Sequence, residues 1–314
     1  MTVDKLVLCL SVPDGIDEWS EAFHRMAPGL DVRPWPALPD DAERFYVAAW
    51  NPPDDFFSRL GRPRAVFVLG AGIDRFLKRG DLPPADVPLV RLLDAGMARQ
   101  MADYALAGVL RFQRNLDLYE EQQLRGIWRP RPPRSADGLR ITVLGLGRIG
   151  SVVASTLAGL GYQVSGWNRG GALISGVSCR SGMDGLDALL AGTDVLINVL
   201  PSTPATRGIL DRRRLSSLPS GAAVINCGRG DQLDLDALVA LLDAGHLRGA
   251  LLDVFPTEPL AADNPWWRHP KLRITPHVAA VTLPEPAARQ VADGIARFEA
   301  GGVAEGTVDR DRGY

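Results

Sequence analysis

Short apolar runs of strand length recur along the whole of this 314-residue chain, and that recurrence constrains the fold more than any other feature. They read "KLVLCLSV", "RFYVAAW", "AVFVLGAG", "LRITVLGLG", "YQVSGWN", "DVLINVL", "AAVINCG", "GALLDVF" and "KLRITPHVA". Gly and Pro bound them, and segments with apolar residues at helical spacing separate them. A strand that is apolar on both faces needs helices over both faces of its sheet, so the pattern predicts parallel sheets in an α/β protein. Two stretches echo each other, "AVFVLGAGID" ending at Asp74 and "RITVLGLGRIG" ending at Gly150, each a strand running into Gly-x-Gly. The expectation is two doubly wound parallel-sheet domains, Rossmann-like or flavodoxin-like.

Between the echoes, Met97 to Trp128 carries apolar residues at helical spacing without a proline and reads as one long helix. The Pro- and Arg-rich Arg129 to Gly138 reads as a linker. These marks set the first domain at 1–98, completed by 277–314, and the second at 99–276.

Charge and composition narrow the partners. Lys and Arg number 35 against 37 Asp and Glu, so the chain lacks the one-sided basic charge that a nucleic-acid surface requires. No apolar run approaches the roughly 20 residues of a membrane helix. The start, "MTVDKLVLCLSVPDG", sets an acid ahead of Lys5 and is broken by Ser11, Pro13 and Asp14, unlike a signal peptide. A cytoplasmic protein with a small-molecule partner, bound to neither membrane nor nucleic acid, is expected. Cys9, Cys179 and Cys227 are odd in number and widely spaced, which suits reduced thiols and neither a disulfide framework nor a metal site.

Gly145, Leu146, Gly147, Arg148, Ile149 and Gly150 spell G-x-G-x-x-G directly after a strand pattern and directly before a helix pattern. In that setting the first glycine makes the turn, the second admits a pyrophosphate against the backbone and the third lets helix and strand approach. After the next strand, an NAD site would carry an acid for the ribose 2′-hydroxyl. This chain has Asn168 and Arg169 there. An amide does not repel a 2′-phosphate and a guanidinium pairs with one, so NADPH is the expected cofactor, with NADH the lesser one. The first echo has Arg75 where its third glycine would fall, which argues against a second dinucleotide site.

Arg229, Glu258 and His277 each follow an apolar run, so in a parallel sheet they gather at its carboxyl edge, where ligands bind. Singly, a Glu before Pro259 suits a loop and a His after "TP" suits a structural role. Together they fit carbonyl reduction. Hydride arriving at a ketone carbon leaves charge on oxygen that an imidazole can protonate. A carboxylate stabilises and orients that ring, and a guanidinium meets the anion of a 2-oxo acid.

At this point the sequence resembles the D-2-hydroxyacid dehydrogenase family, and within it the type that reduces glyoxylate and hydroxypyruvate. The resemblance runs through "FVLGAGID", "MARQMADYA", "VLGLGRIG", "LINVLPSTPAT", "INCGRG", "LLDVFPTEPL", "ITPHVAA" and "VDRDRGY". It implies an active site in the cleft between two domains, with His277 as proton donor, Glu258 as its partner and Arg229 as the residue that orients the substrate. It further implies a substrate-carboxylate loop at Ala71, Gly72 and Ile73, with Trp50 closing over a small substrate or serving as a core aromatic. Leu200, Pro201, Thr206, Cys227, Asp253 and Ala279 would line the cofactor, Asp253 receiving its carboxamide. The family also implies a homodimer built on the Met97–Trp128 segment. Cys227 and Gly228 stand where relatives often carry Ala or Ser, and Cys227 is oxidisable if exposed. NAD-linked oxidation of a larger 2-hydroxy acid, and a non-catalytic dinucleotide sensor like the related corepressors, are the alternatives.

Overall fold

The computed structural model describes residues 5–10, 15–38 and 45–310. The side chain of Cys9 and the last residues of "VDRDRGY" lie outside the described part. The chain forms two units, 1–96 with 282–314, and 97–281.

The first unit holds five parallel strands: β1 (Lys5–Leu10), β2 (Asp31–Pro34), β3 (Phe45–Trp50), β4 (Val66–Val68) and β5 (Leu89–Arg91). Their order, β2-β1-β3-β4-β5, is the flavodoxin-like arrangement. Val7, Phe45, Val47, Phe56, Val66 and Val68 share one of its apolar clusters.

The second unit carries seven parallel strands: β6 (Arg140–Leu144), β7 (Gln163–Trp167), β8 (Val177–Arg180), β9 (Val195–Asn198), β10 (Ala223–Asn226), β11 (Gly249–Leu252) and β12 (Leu272–Ile274). They lie in the order β12-β11-β10-β9-β6-β7-β8. The chain winds outward from β6 through β7 and β8, then crosses back to β9 and winds the other way. The reversal between β6 and β9 opens a crevice at the carboxyl ends of those strands. Both sheet faces are covered, as strands of composition "ITVL", "VLIN" and "AVIN" require. On one side lie Met101, Ala105 and Val109 of helix Met97–Gln113 with Val153 and Leu157 of helix Arg148–Gly159; on the other lie Leu186, Leu190, Leu238 and Leu242.

Two sequence expectations differ from what is observed. The single helix over Met97–Trp128 is broken into Met97–Gln113 and Leu116–Leu124. Asn115 adopts the left-handed conformation, φ +58°, that a short polar side chain tolerates. Its Oδ1 accepts from Arg248 Nη2 at 2.9 Å, and Arg248 also grips Asp117 at 2.6 Å, so tertiary bonds fix the break. The return to the first unit comes at Thr282, not at His277. His277 donates its backbone N–H to Asp253 O at 2.9 Å, and Val278 and Ala279 donate theirs to the Asp253 carboxylate at 2.8 and 2.9 Å. These bonds hold 277–279 to the second unit.

Candidate active site

One line of register crosses the seven-stranded sheet at its carboxyl edge. Ile274 pairs with Leu252, Leu252 with Asn226, Asn226 with Asn198, Asn198 with Leu144, and Leu144 with Trp167. The second-unit site candidates follow strands that end on this line: His277, Asp253 and Glu258, Cys227 and Arg229, Leu200, Gly145 and Asn168. Six separate loops therefore deliver their side chains to one edge.

His277 and Glu258 meet there. His277 Nδ1 lies 2.8 Å from Glu258 Oε2, and Glu258 Oε1 accepts the Phe255 N–H at 2.9 Å. The carboxylate is thus held by its own loop while it holds the ring, and the bond to Nδ1 turns Nε2 away from Glu258. The His277 side chain keeps 37% of its surface exposed, against 16% for Glu258. His277 has φ +57°, a conformation that costs a side-chain-bearing residue about 1–3 kcal/mol. The Asp253 clamp offsets it, since hydrogen bonds to a charged group contribute about 1.5–3 kcal/mol each. Asp253, only 2% exposed, also accepts from Thr275 Oγ1 at 2.6 Å, and Thr275 Oγ1 lies 2.5 Å from Tyr104 Oη. Burial pushes the Tyr104 phenol well above its ordinary range, so it stays protonated.

Arg229, half-buried, follows β10 in an extended conformation. The next residue, Gly230, is pressed against the loop that carries Glu258: an added Cβ would stand 2.0 Å from the Phe255 carbonyl carbon. This close approach ties the Arg229 turn to the Glu258 loop. Cys227 is buried, and desolvation, with Asp253 adding to it, drives its thiol well above the usual range. Buried and protonated, it is an inert packing group, so the condition for its oxidation is not met.

The glycine turn has three different environments. Gly145 takes φ +98° with Val199 carbon and oxygen 3.1 Å from any added Cβ. At Gly150 an added Cβ would lie 1.7 Å from Gly145 O. At Gly147 no atom of the described residues lies within 4 Å of an added Cβ. Gly145 and Gly150 are needed by the protein itself, whereas Gly147 leaves open space against the backbone at the start of helix Arg148–Gly159. Leu146 is buried against Gly166, Arg148 is exposed and Ile149 half-buried. After β7, Asn168 donates from Nδ2 to Gly171 O at 3.2 Å, while its buried Oδ1 has no hydrogen-bond partner among the described residues. Arg169 beside it is exposed. Leu200 and Thr206 are buried and Pro201 exposed; the Thr206 hydroxyl donates to Pro201 O at 2.6 Å, closing that turn on itself. Ala279 is buried under the Asp253 clamp.

The remaining four candidates lie in the first unit. Trp50 ends β3, and its ring covers Gly70, where an added Cβ would be 2.3 Å from Trp50 Cζ3. With 43% of its surface exposed, Trp50 is not a core aromatic. Ala71 and Gly72 are half-buried in the loop after β4, and the Ile73 side chain is in the core.

Comparison with known proteins follows from this geometry. Residues 106–279 match the family described as D-isomer specific 2-hydroxyacid dehydrogenase, NAD binding domain. The chain belongs to the D-isomer specific 2-hydroxyacid dehydrogenases. It is 43% identical over 303 residues to a glyoxylate/hydroxypyruvate reductase A of Serratia proteamaculans, covering 95% of this chain and 96% of that one. A Yersinia enterocolitica protein of the same name is 42% identical over 302 residues, with the same coverage. Among solved structures, a D-isomer specific 2-hydroxyacid dehydrogenase of Xanthobacter autotrophicus Py2 in complex with NADPH and MES superposes with TM-score 0.94 at 41% identity, both chains fully covered. An NADPH-dependent glyoxylate/hydroxypyruvate reductase of Sinorhizobium meliloti, in complex with NADP and sulfate, gives 0.91 at 33% identity over 99% of this chain and 100% of that one.

A dinucleotide fits this dehydrogenase on its own geometry. Gly147 leaves the room against the backbone that a pyrophosphate takes, and the orphaned Asn168 Oδ1 offers an acceptor to a ribose hydroxyl. Sequence reasoning missed the dehydrogenase's supporting residues: Tyr104, Thr275, Asn198, Asn226 and Gln232. For the two asparagines a signal was present, since "LIN" and "VIN" each set an amide at the end of an otherwise apolar strand.

Proposed function

We propose that this protein reduces small 2-oxo acids, glyoxylate and hydroxypyruvate among them, to 2-hydroxy acids with NADPH. The observation that carries the reading is the Glu258–His277 pair, held at 2.8 Å on the carboxyl edge of a dinucleotide-binding sheet. The Gly145–Gly150 turn would hold the cofactor by its pyrophosphate, and its reduced nicotinamide would supply the hydride. His277 then delivers a proton from Nε2 to the former keto oxygen, giving the hydroxyl. Glu258, on Nδ1, fixes the ring and balances its charge. Arg229 orients the substrate by pairing with its carboxylate and keto oxygen. In the first unit, the N–H groups of Ala71, Gly72 and Ile73 are assigned to a carboxylate and Trp50 to limiting substrate size. Leu200, Pro201, Thr206, Cys227 and Ala279 flank the cofactor.

Preference for NADPH over NADH is read from Asn168 and Arg169, which present no carboxylate to a 2′-phosphate. The names of the Serratia, Yersinia and Sinorhizobium relatives support the same substrates, and that of the Sinorhizobium relative the same cofactor. We place the protein in the cytoplasm as a homodimer. Leu110, Leu116, Leu124, Ile127 and Trp128 are exposed, Trp128 by 98%, and support pairing through this segment. Light scattering should then give twice the 33.9 kDa chain mass.

The deciding experiment is steady-state oxidation of NADPH and of NADH with glyoxylate, hydroxypyruvate and a bulkier 2-oxo acid at matched concentrations. Fast turnover of the two small acids with NADPH is expected. Cofactor binding without turnover of any acid would instead support a dinucleotide sensor.

A further inference from the structure

Beneath the Arg229 turn lies a polar cluster inside an apolar sheet. Asn198, Asn226 and Gln232 are each 0% exposed, and their amides bond to one another and to backbone. Asn198 Nδ2 donates to Asn226 Oδ1 at 2.9 Å and to Gln232 Oε1 at 2.7 Å. Gln232 Oε1 also accepts the Arg229 N–H at 2.9 Å, and Asn226 Nδ2 donates to Arg229 O at 3.3 Å. Both backbone polar groups of Arg229 are therefore held by buried amides. The far side of the cluster holds the turn after β9: Gln232 Nε2 donates to Leu200 O at 3.1 Å and Pro201 O at 2.8 Å, and Asn198 Oδ1 accepts the Leu200 N–H at 3.3 Å.

Gly228 completes the arrangement. An added Cβ there would stand 2.6 Å from Gln232 Oε1, 2.9 Å from Asn198 Nδ2 and 2.9 Å from Leu200 O. The amide of Gln232 occupies the room that a side chain at 228 would need, so the two positions are matched.

Three buried side-chain amides are costly to desolvate unless their polar atoms are met, and here each amide nitrogen and oxygen has at least one hydrogen-bond partner. An apolar core at the same place would fold as well with less demand on geometry. We infer that Gln232, with Asn226 and Asn198, is a positioning residue for substrate: it fixes the backbone of Arg229 so that the guanidinium meets the 2-oxo acid. This rests on the reading of Arg229 as the residue that orients substrate. The cluster also links the Leu200–Pro201 turn to the Arg229 turn through Gln232.

The test is a double-mutant cycle on the full-length protein with Gln232→Met, which keeps the side-chain volume and removes the amide, Arg229→Ala, and the two combined. Each variant is followed by KM for glyoxylate at saturating NADPH, by Tm, and by calorimetric Kd for oxalate, a small acid that is not reduced, on the NADPH-loaded enzyme. Gln232→Met should raise KM and the oxalate Kd about tenfold when Arg229 is present, the size expected for one or two lost hydrogen bonds, and leave both unchanged when Arg229 is already Ala. An equal rise in both backgrounds, or no rise in either, overturns the proposal. If Arg229→Ala alone leaves KM, kcat and oxalate affinity intact, the reading of Arg229 itself falls. Should Gln232→Met not fold, Asn226→Ala approaches Arg229 from its carbonyl and carries the same two expectations.

Discussion

Asp253 sets the conformation of His277: its carbonyl takes the His277 N–H at 2.9 Å, and its carboxylate takes the N–H groups of the two residues that follow. The imidazole thus stands on a backbone that would relax out of the left-handed region without that carboxylate. Asp253→Asn keeps the shape but turns an NH2 toward a backbone N–H, setting donor against donor on one side of the clamp. We expect kcat to fall about 100-fold, a size typical of misplaced proton-transfer groups, and Tm to drop by several degrees. Kinetics and thermal melts on this variant check both. Unchanged kcat would mean the turn holds itself.

His277→Ala removes the proposed proton donor and leaves the glycine turn untouched. Turnover should fall by about 10²–10⁴, the usual contribution of general acid catalysis, while NADPH affinity, read by cofactor fluorescence, stays within about twofold. Glu258→Gln should be milder. Its single amide oxygen can serve the His277 Nδ1–H or the Phe255 N–H but not both, and it no longer balances imidazolium charge, so a loss of about 10- to 100-fold in kcat is expected. A Glu258→Gln enzyme as damaged as His277→Ala would point to a role for Glu258 beyond partnering the ring.

The glycine turn separates structure from binding. Gly150→Ala drives a methyl into Gly145 O, 1.7 Å from where it must sit, so Tm should fall sharply and NADPH affinity with it. Gly147→Ala meets no protein atom within 4 Å, so the fold should be nearly unaffected. NADPH affinity should still weaken tenfold or more, because the methyl fills the space a pyrophosphate takes. Equal melting temperatures for these two variants would contradict the assignment.

Much of this was legible in the chain, for identifiable reasons. Buried parallel strands such as "RITVL" and "AVIN" are apolar on both faces and announce themselves; β2, β5 and β8 do not. All three are short edge strands; "VSCR" alternates partly buried with exposed positions and "DVRP" has one buried residue among polar neighbours and a proline, so their composition resembles loop. Glu258, His277 and Arg229 were readable because each follows a readable strand. Their supports were not. Tyr104 lies in a helix and Gln232 in a single helical turn beyond Arg229, and only tertiary packing brings them under the site. The break at Asn115 was hidden for the same reason, since its anchors, Arg248 and Pro132, are distant in sequence.

Glu120 links helix Leu116–Leu124 to both neighbours, bonding Arg111 at 2.8 Å and Arg273 at 3.1 Å. The Arg111 hydrogen bond, with Arg273 behind it and desolvation opposing, holds its carboxyl down to about 2 from an ordinary 4.5. A lowered folded-state value means the stabilisation is complete above about 4.5 and is lost as pH falls toward 2. Melting curves between pH 7 and pH 3 should therefore show Glu120→Gln below the native protein at neutral pH and converging on it in acid. A constant gap across that range would rule out the charge as the cause.

Cofactor choice is proposed to turn on Asn168 and Arg169. A 2′-phosphate brings close to two negative charges to the end of β7, where Asn168 offers a neutral amide and Arg169 a cation. Asn168→Asp puts an anion at that point and lets its oxygens accept from a ribose 2′-hydroxyl instead, so it should penalise NADPH and favour NADH together. One like-charge contact and one gained hydrogen bond, at about 1–2 kcal/mol each, should move the NADPH-to-NADH ratio of kcat/KM by about 10²-fold. Arg169→Ala should weaken NADPH alone, most at low salt, because only the phosphate interacts with the guanidinium. If both variants keep the native ratio, the preference is set elsewhere on the carboxyl edge, and the open space at Gly147 would carry pyrophosphate binding without reading the ribose.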